Sequence, residues 1–201
     1  MAAASAKSCW FVVLNPVSGR GRGWRDRQRI VAALRAQGLE VELAVSARAG
    51  HVQPLVAQAL AAGHRNVLAV GGDGTVHEAA NAVLEARADV RFAVLPVGTG
   101  NDFARTHGLP RDYAAAAAAI AAGRTRSLDV GEARFDDGRR RFFVNVAGVG
   151  FDAHVIERMP DRRWGRLAYL AGVLRGLAGY RPQEMRLVVD GERRDARLFV
   201  A

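Results

Sequence analysis

An unbroken apolar run, Asn66 to Val70, ends abruptly in Gly71-Gly72-Asp73-Gly74-Thr75, after which Val76, Ala79, Ala80, Val83 and Leu84 recur at helical spacing. Few structures satisfy that order. It reads as a buried strand, a glycine turn and the first turn of a helix. The glycines tolerate positive φ and let a bulky group approach the backbone. The helix start aims unpaired N–H groups and a positive dipole end at the turn, which favours a phosphate. Asp73 would repel that phosphate unless a metal ion or a proton lay between them. Thr75 reads as the N-cap of the helix, with Glu78 closing a capping box.

The same unit recurs along the chain. Cys9 to Leu14 is a continuous apolar strand of the kind buried on both faces of a parallel sheet. It runs into Asn15-Pro16-Val17-Ser18-Gly19-Arg20-Gly21-Arg22-Gly23, where Pro16 and the glycines oppose regular structure. Ser18 and the backbone amides there suit a phosphate, and Arg20 and Arg22 add charge. This is no Walker A loop, since no Lys-Ser/Thr follows the glycines. Trp24–Gln37 reads as a helix stopped by Gly38, Leu39–Val45 as a strand, and His51–Ala62 as a helix stopped by Gly63. Phe92–Leu95 is the fourth strand. Its turn, Pro96-Val97-Gly98-Thr99-Gly100-Asn101-Asp102, opens another helix with Thr99 or Asn101 as cap and Asp102 in the first turn. Four β-α units predict a doubly wound parallel sheet with helices on both faces. Ligands of such sheets bind beyond the carboxyl ends of the strands. Asn15–Gly23, Ser46–Gly50, Gly71–Thr75 and Gly98–Asp102 all fall at that edge.

Asp112–Ala122 is an alanine-rich helix, and beyond it the pattern changes. Strands over 126–134 and 141–147 are joined by Asp136-Asp137-Gly138, a hairpin signal. A second hairpin is expected from Arg186–Asp190 and Arg197–Val200. The boundary is therefore set near Arg124, giving a nucleotide-type α/β domain over 8–124 and an antiparallel β domain over 125–201. The last expected strand runs into Ala201, so 125–201 reads as an incomplete domain with an open edge that favours self-association into a homo-oligomer. Trp164–Tyr180 forms an apolar helix flanked by Arg158, Arg162, Arg163 and Arg166. It suits either a core-facing helix with a solvated basic edge or a contact with anionic headgroups.

The net charge is +9, and of 29 basic residues only Lys7 is a lysine. A basic surface suits anionic partners, but a chain this rich in alanine and glycine also carries the imprint of a biased source composition, and no nucleic-acid partner is expected. Cys9 is the only cysteine and forms no internal disulfide, consistent with a reducing compartment. The run Trp10–Leu14 is too short for a signal peptide or a membrane span. No zinc-ligand spacing links the five histidines.

Asn15-Pro-Val-Ser-Gly19, Gly71-Gly-Asp-Gly-Thr75 with Glu78 and Asn81, and Pro96-Val-Gly-Thr-Gly-Asn-Asp-Phe-Ala104 resemble three signatures of the diacylglycerol kinase catalytic domain, a family that includes bacterial lipid kinases and the sphingosine and ceramide kinases. Phe143 to Asp152 resembles a fourth. The resemblance implies a first domain like those of phosphofructokinase and NAD kinase, a second domain that is a β-sandwich, and transfer of the γ-phosphoryl of ATP–Mg²⁺ to a lipid hydroxyl such as that of diacylglycerol. It implies nucleotide contacts from Asn15, Pro16, Val17, Ser18, Gly19, Ser46, Gly71, Gly72, Asp73, Gly74, Thr75, Val76, His77 and Thr99. Asp73 would act near the phosphates, through metal or in activating the hydroxyl, and Asp102, with Asn101, would support that centre. Members of the family continue for roughly another third of their length, carrying the acidic metal ligands and the carboxylate assigned as general base, so neither the metal site nor that base is placed here. A lipid kinase implies a cytoplasmic protein with transient peripheral contact at the inner face of the membrane. Two alternatives stay open: a nucleotide-binding module without catalysis, and NAD kinase, which shares Gly-Gly-Asp-Gly but not the Pro96–Asp102 segment. A Rossmann dehydrogenase is disfavoured, because no Gly-x-Gly-x-x-Gly opens the first helix.

Overall fold

The computed structural model describes residues 9–148, 150, 151, 154 and 182–198. The helix expected over Trp164–Tyr180, its flanking arginines, Asp152 and the final strand's end lie outside the described residues.

Four parallel strands form the sheet: β1 (Trp10–Leu14), β2 (Val41–Val45), β3 (Asn66–Gly71) and β4 (Arg91–Pro96), in the order β2-β1-β3-β4. All residues of β1 and β3 are buried, as their unbroken apolar runs require, whereas the edge strand β2 is half-exposed. Helices cover both faces. On one, Ile30 and Leu34 of α1 (Ser18–Ala36) and Ala116 and Ala117 of α5 (Tyr113–Ala121) pack on Val12, Leu14, Leu68 and Val70. On the other, Val52, Val56 and Leu60 of α2 (Val52–Ala61) and Ala79 and Ala82 of α3 (Asp73–Ala86) pack on Val13, Val67 and Ala69. Strand connection reverses direction between β1 and β3, which opens a crevice at their carboxyl ends. This is the doubly wound sheet expected from the sequence.

The helical span of α1 includes residues that are not helical. Gly19, Arg20 and Gly21 all have positive φ (60°, 60° and 81°), so the irregular loop inferred from Pro16 and the glycines persists inside it. The expected capping box is corrected. The N-cap of α3 is Gly72, without a side-chain cap, and Thr75 lies buried inside the helix. Glu78 instead serves the neighbouring helix. Its two carboxylate oxygens accept from Gly50 N and Val52 N, both at 3.0 Å, capping α2. Glu78→Ala should therefore destabilise the protein by about 1–2 kcal/mol, the usual cost of a lost cap, and hydrogen exchange should quicken first at the Gly50 and Val52 amides.

Between α1 and α5, the Tyr113 hydroxyl donates to Asp26 Oδ2 at 2.6 Å. Burial, then that hydrogen bond and the Asp26 charge, push the Tyr113 pKa up to about 12. The folded state thus holds this proton more tightly than the unfolded chain, whose tyrosine titrates near 10. The contribution is complete below pH ~10 and is lost as pH rises towards ~12. Urea unfolding at pH 9 and pH 11.5 should show a loss on the order of 1 kcal/mol, allowing for solvent screening. Tyr113→Phe should remove that part of the slope.

α4 (Asp102–Thr106) follows β4, and the antiparallel hairpin β5 (Gly131–Arg134) and β6 (Arg140–Phe143) follows α5. Asn81, only 1% exposed, ties β6 to α3. Its amide nitrogen donates to His77 O and Phe142 O, and its oxygen accepts from Phe142 N, each at 2.9 Å. The described chain divides into two compact units, the first ending at Asn145 and the second beginning at Val146. The second contains the hairpin β7 (Gln183–Val189) and β8 (Glu192–Leu198), turned by Asp190 and Gly191, both at positive φ. Its strands are longer than expected.

Candidate functional site

The loops after β1, β3 and β4 meet at the crevice between the carboxyl ends of β1 and β3. Asn15 N donates to Val70 O at 3.0 Å, and Asn15 Nδ2 donates to Thr75 Oγ1 at 3.2 Å, joining the end of β1 to the start of α3. Asn15 Oδ1 accepts from Val17 N at 3.2 Å and shapes the loop. Val97 N and Gly98 N both donate to Gly71 O, at 2.8 and 3.2 Å. Several glycines here are required by close approach. A Cβ on Gly98 would lie far inside van der Waals contact distance of Gly72 Cα, and a Cβ on Gly19 would strike the Val97 carbonyl. Gly71, Gly72 and Gly98 therefore hold the loops together, while a Cβ on Gly74 would meet open space.

Asp73 stands at the first position of α3. Its Oδ1 accepts from Phe103 N at 3.2 Å and so caps α4. This corrects the assignment of that cap to Thr99 or Asn101. Asn101 occupies the N-cap position with φ 54° and no side-chain cap. A Cβ on Gly100 would lie 2.9 Å from Asp73 Oδ2 and 3.8 Å from Asp102 Oδ2, so the two carboxylates flank one glycine. Asp102 is exposed and pairs with Arg105.

The remaining sequence-selected residues divide by burial. Thr99 and His77 are exposed, Val17 is 75% exposed, and Pro16, Ser18 and Gly19 are half-buried along the first loop. Ser46 is buried at the end of β2, its amide donating to Leu14 O at 2.9 Å. Val76 is turned away from the rim. Its side chain packs with Val94 and Phe103, and its amide donates to Gly72 O.

Arg22 carries weight that the sequence reading did not give it, and Asn101, read there as a cap candidate and a support of the centre, has a buried environment that the reading did not specify. Arg22, read there as added charge, donates to Val97 O at 2.9 Å and so pins the first loop to the turn after β4. Asn101 is 2% exposed. Its amide nitrogen donates to Gly98 O at 2.7 Å, and its Oδ1 is buried with no partner among the described residues. An unpaired buried acceptor costs about 1–3 kcal/mol, which a donor from a ligand or a water would recover. A polar side chain at a turn of this kind, beside glycines, is the signal that marks such a position.

The contrast among helix starts is chemical. α5 is capped by Asp112, which accepts from Ala115 N at 2.9 Å, and α2 by Glu78. Among the described residues no side chain caps α3. Its first amides face the crevice with the dipole behind them, which is an anion site.

Residues 9–133 match the diacylglycerol kinase catalytic domain. A diacylglycerol kinase of Mycobacterium tuberculosis is 37% identical over 180 residues, which is 88% of this chain and 58% of that protein. A Pseudomonas aeruginosa protein named "Probable lipid kinase YegS-like" is 35% identical over 168 residues, covering 84% of this chain and 54% of its own length. The chain thus spans a little over half the length of these relatives. The crystal structure of a diacylglycerol kinase from Bacillus anthracis superposes with a TM-score of 0.71 at 23% identity, over 96% of this chain and 62% of that one, and supports the fold.

Proposed function

Because the chain belongs to the diacylglycerol kinase catalytic domain family, we propose that it serves ATP-dependent transfer of a phosphoryl group to a lipid hydroxyl, such as that of diacylglycerol. The observation that carries this reading is the uncapped start of α3 at the crevice, with Asp73 and Asp102 beside it. Phosphoryl transfer needs alignment, neutralised phosphate oxygens and a carboxylate near the hydroxyl.

The polyphosphate would lie on the Asp73, Gly74 and Thr75 amides and along the loop Asn15 to Gly19. Thr99 and His77 stand exposed at the rim, and Ser46 is placed behind the first loop. Gly74 offers open space where a Cβ would intrude on a ligand. Mg²⁺ fits the pair Asp73 and Asp102, since this ion binds through one or two carboxylates together with substrate phosphates and waters. When bound it would screen the charge on the phosphate oxygens. Asp73 Oδ2 is the oxygen left for this work, because Oδ1 is committed to Phe103 N. Among the described residues no helix is long and apolar enough to cross a membrane.

The test is transfer of label from γ-labelled ATP, with Mg²⁺, into a mixed lipid extract, with ATP binding measured in parallel. Labelled phospholipid would establish the activity and identify its acceptor. Binding without label would reduce the reading to nucleotide binding. Loss of both would sink it.

A further inference from the structure

We propose that Asn81 is a positioning residue for phosphate transfer, an inference that rests on the lipid-kinase reading. Its amide fixes the strand beside the two carboxylates to the helix whose first amides face the crevice. Asn81 lies about 12 Å along α3 from Asp73, at about 1.5 Å per residue, so it reaches no phosphate on the first turn. It acts on β6. Its Nδ2 donates to His77 O, inside the helix, and to Phe142 O, while its Oδ1 accepts from Phe142 N, each at 2.9 Å. Both backbone groups of one β6 residue are thus held by one buried, planar amide.

Two further contacts fix the same stretch of chain. Arg141 Nη1 lies 4.0 Å from Glu85 Oε1, and Glu85 Oε2 accepts from Gln53 Nε2 at 2.9 Å, so β6, α3 and α2 are tied in series. Just past β6, Val144 packs against Val76, Val94 and Phe103. Val76 belongs to the first turn of α3, and Phe103 is the residue whose amide donates to Asp73 Oδ1. The end of β6 is therefore seated on the two helices that carry Asp73 and Asp102. Phosphate transfer requires the acceptor oxygen to stand in line with the phosphorus, and a misplacement of about 1 Å can cost about a hundredfold in rate. One helix here registers the phosphate at its start and, through Asn81, the strand that borders the acceptor side of the carboxylates.

The experiment uses the 201-residue chain, γ-labelled ATP, Mg²⁺ and mixed micelles of diacylglycerol, with Asn81→Ala and Asn81→Ser beside the wild type. Three quantities are read: ATP affinity, labelled phosphatidic acid and labelled inorganic phosphate. In both products the bond from the γ-phosphorus to its bridging oxygen breaks and ADP leaves. The new bond goes to the lipid oxygen or to a water oxygen, and the proton passes to solvent. We expect ATP affinity to hold within about twofold, lipid labelling to fall about a hundredfold, and inorganic phosphate release not to fall with it, so that the ratio of phosphate to phosphatidic acid rises. Serine can still donate to the carbonyl one turn back but cannot span to Phe142. That variant isolates the bond to the strand and stands in if the alanine variant fails to fold. Variants that label lipid like the wild type would overturn the proposal. So would equal loss of ATP binding, lipid label and inorganic phosphate, which is what a merely structural asparagine predicts, since misfolding lowers all three together. A wild-type chain that binds no ATP or labels no lipid would instead sink the lipid-kinase reading, and this inference with it.

Discussion

Asp73→Ala should lower phosphate transfer by at least about a hundredfold, in any length of this protein that transfers phosphate, while leaving it folded. Two roles meet in this carboxylate and have different sizes. Oδ1 caps α4 through Phe103 N, and losing a cap costs about 1 kcal/mol, or about 2–4 °C in melting temperature for a chain of this size. Oδ2 faces the place where charge would move, beside Asp102. Groups that hold a proton or neutralise charge there are worth about 10²–10⁴ in rate. Asp73→Asn separates the roles, because its amide oxygen can still accept from Phe103 N but carries no charge. The asparagine variant should melt like the wild type and still fail to transfer label. Near-normal transfer from it would show that Asp73 serves only as a cap.

Gly98→Ala should be the most damaging single methyl group in the rim. Its Cβ would fall far inside contact distance of Gly72 Cα, and neither backbone can swing aside, since Gly71 O binds the amides of both Val97 and Gly98. Overpacking of this kind costs about 3 kcal/mol at the upper end of its usual range, equivalent to about 6–12 °C. ATP affinity should fall at least tenfold as the loops part, an estimate on the order of 1.4 kcal/mol. Gly74→Ala is the informative partner. Its methyl meets nothing within 4 Å among the described residues, and alanine favours a helix over glycine by about 1 kcal/mol. That variant should melt no lower than the wild type, yet bind ATP more weakly. If Gly74→Ala bound ATP normally, the polyphosphate would not lie against the first turn of α3.

The parallel sheet was legible because its central strands are apolar runs, each followed by turn-forming residues. Val67 to Val70 followed by two glycines leaves little choice. What escaped were contacts between segments far apart in sequence. Glu78 sits where a capping box would put it, but its acceptors reach Gly50 and Val52 on a different helix. Asp73 likewise caps a helix that begins 29 positions later. Local pattern shows that a carboxylate is available and not which amides will come within reach. The hairpin β7–β8 was underestimated for another reason. Glu192-Arg193-Arg194-Asp195-Ala196-Arg197 has no apolar alternation, so its pairing follows from the Asp190-Gly191 turn rather than from a buried face. The loops at the carboxyl edge of the sheet were marked in the sequence by their glycines. Val76 was included on the strength of its neighbours, and its burial and committed amide follow from helical periodicity.

The amide of Asn81 gives β6 what a flanking strand would give it, since it both donates to and accepts from the backbone of Phe142. One margin of the hairpin is thereby closed to other chains at its middle. A further strand can join only beside β5, so this small sheet grows in one direction, and intermolecular pairing through β6 is blocked by a side chain rather than by a neighbouring chain segment.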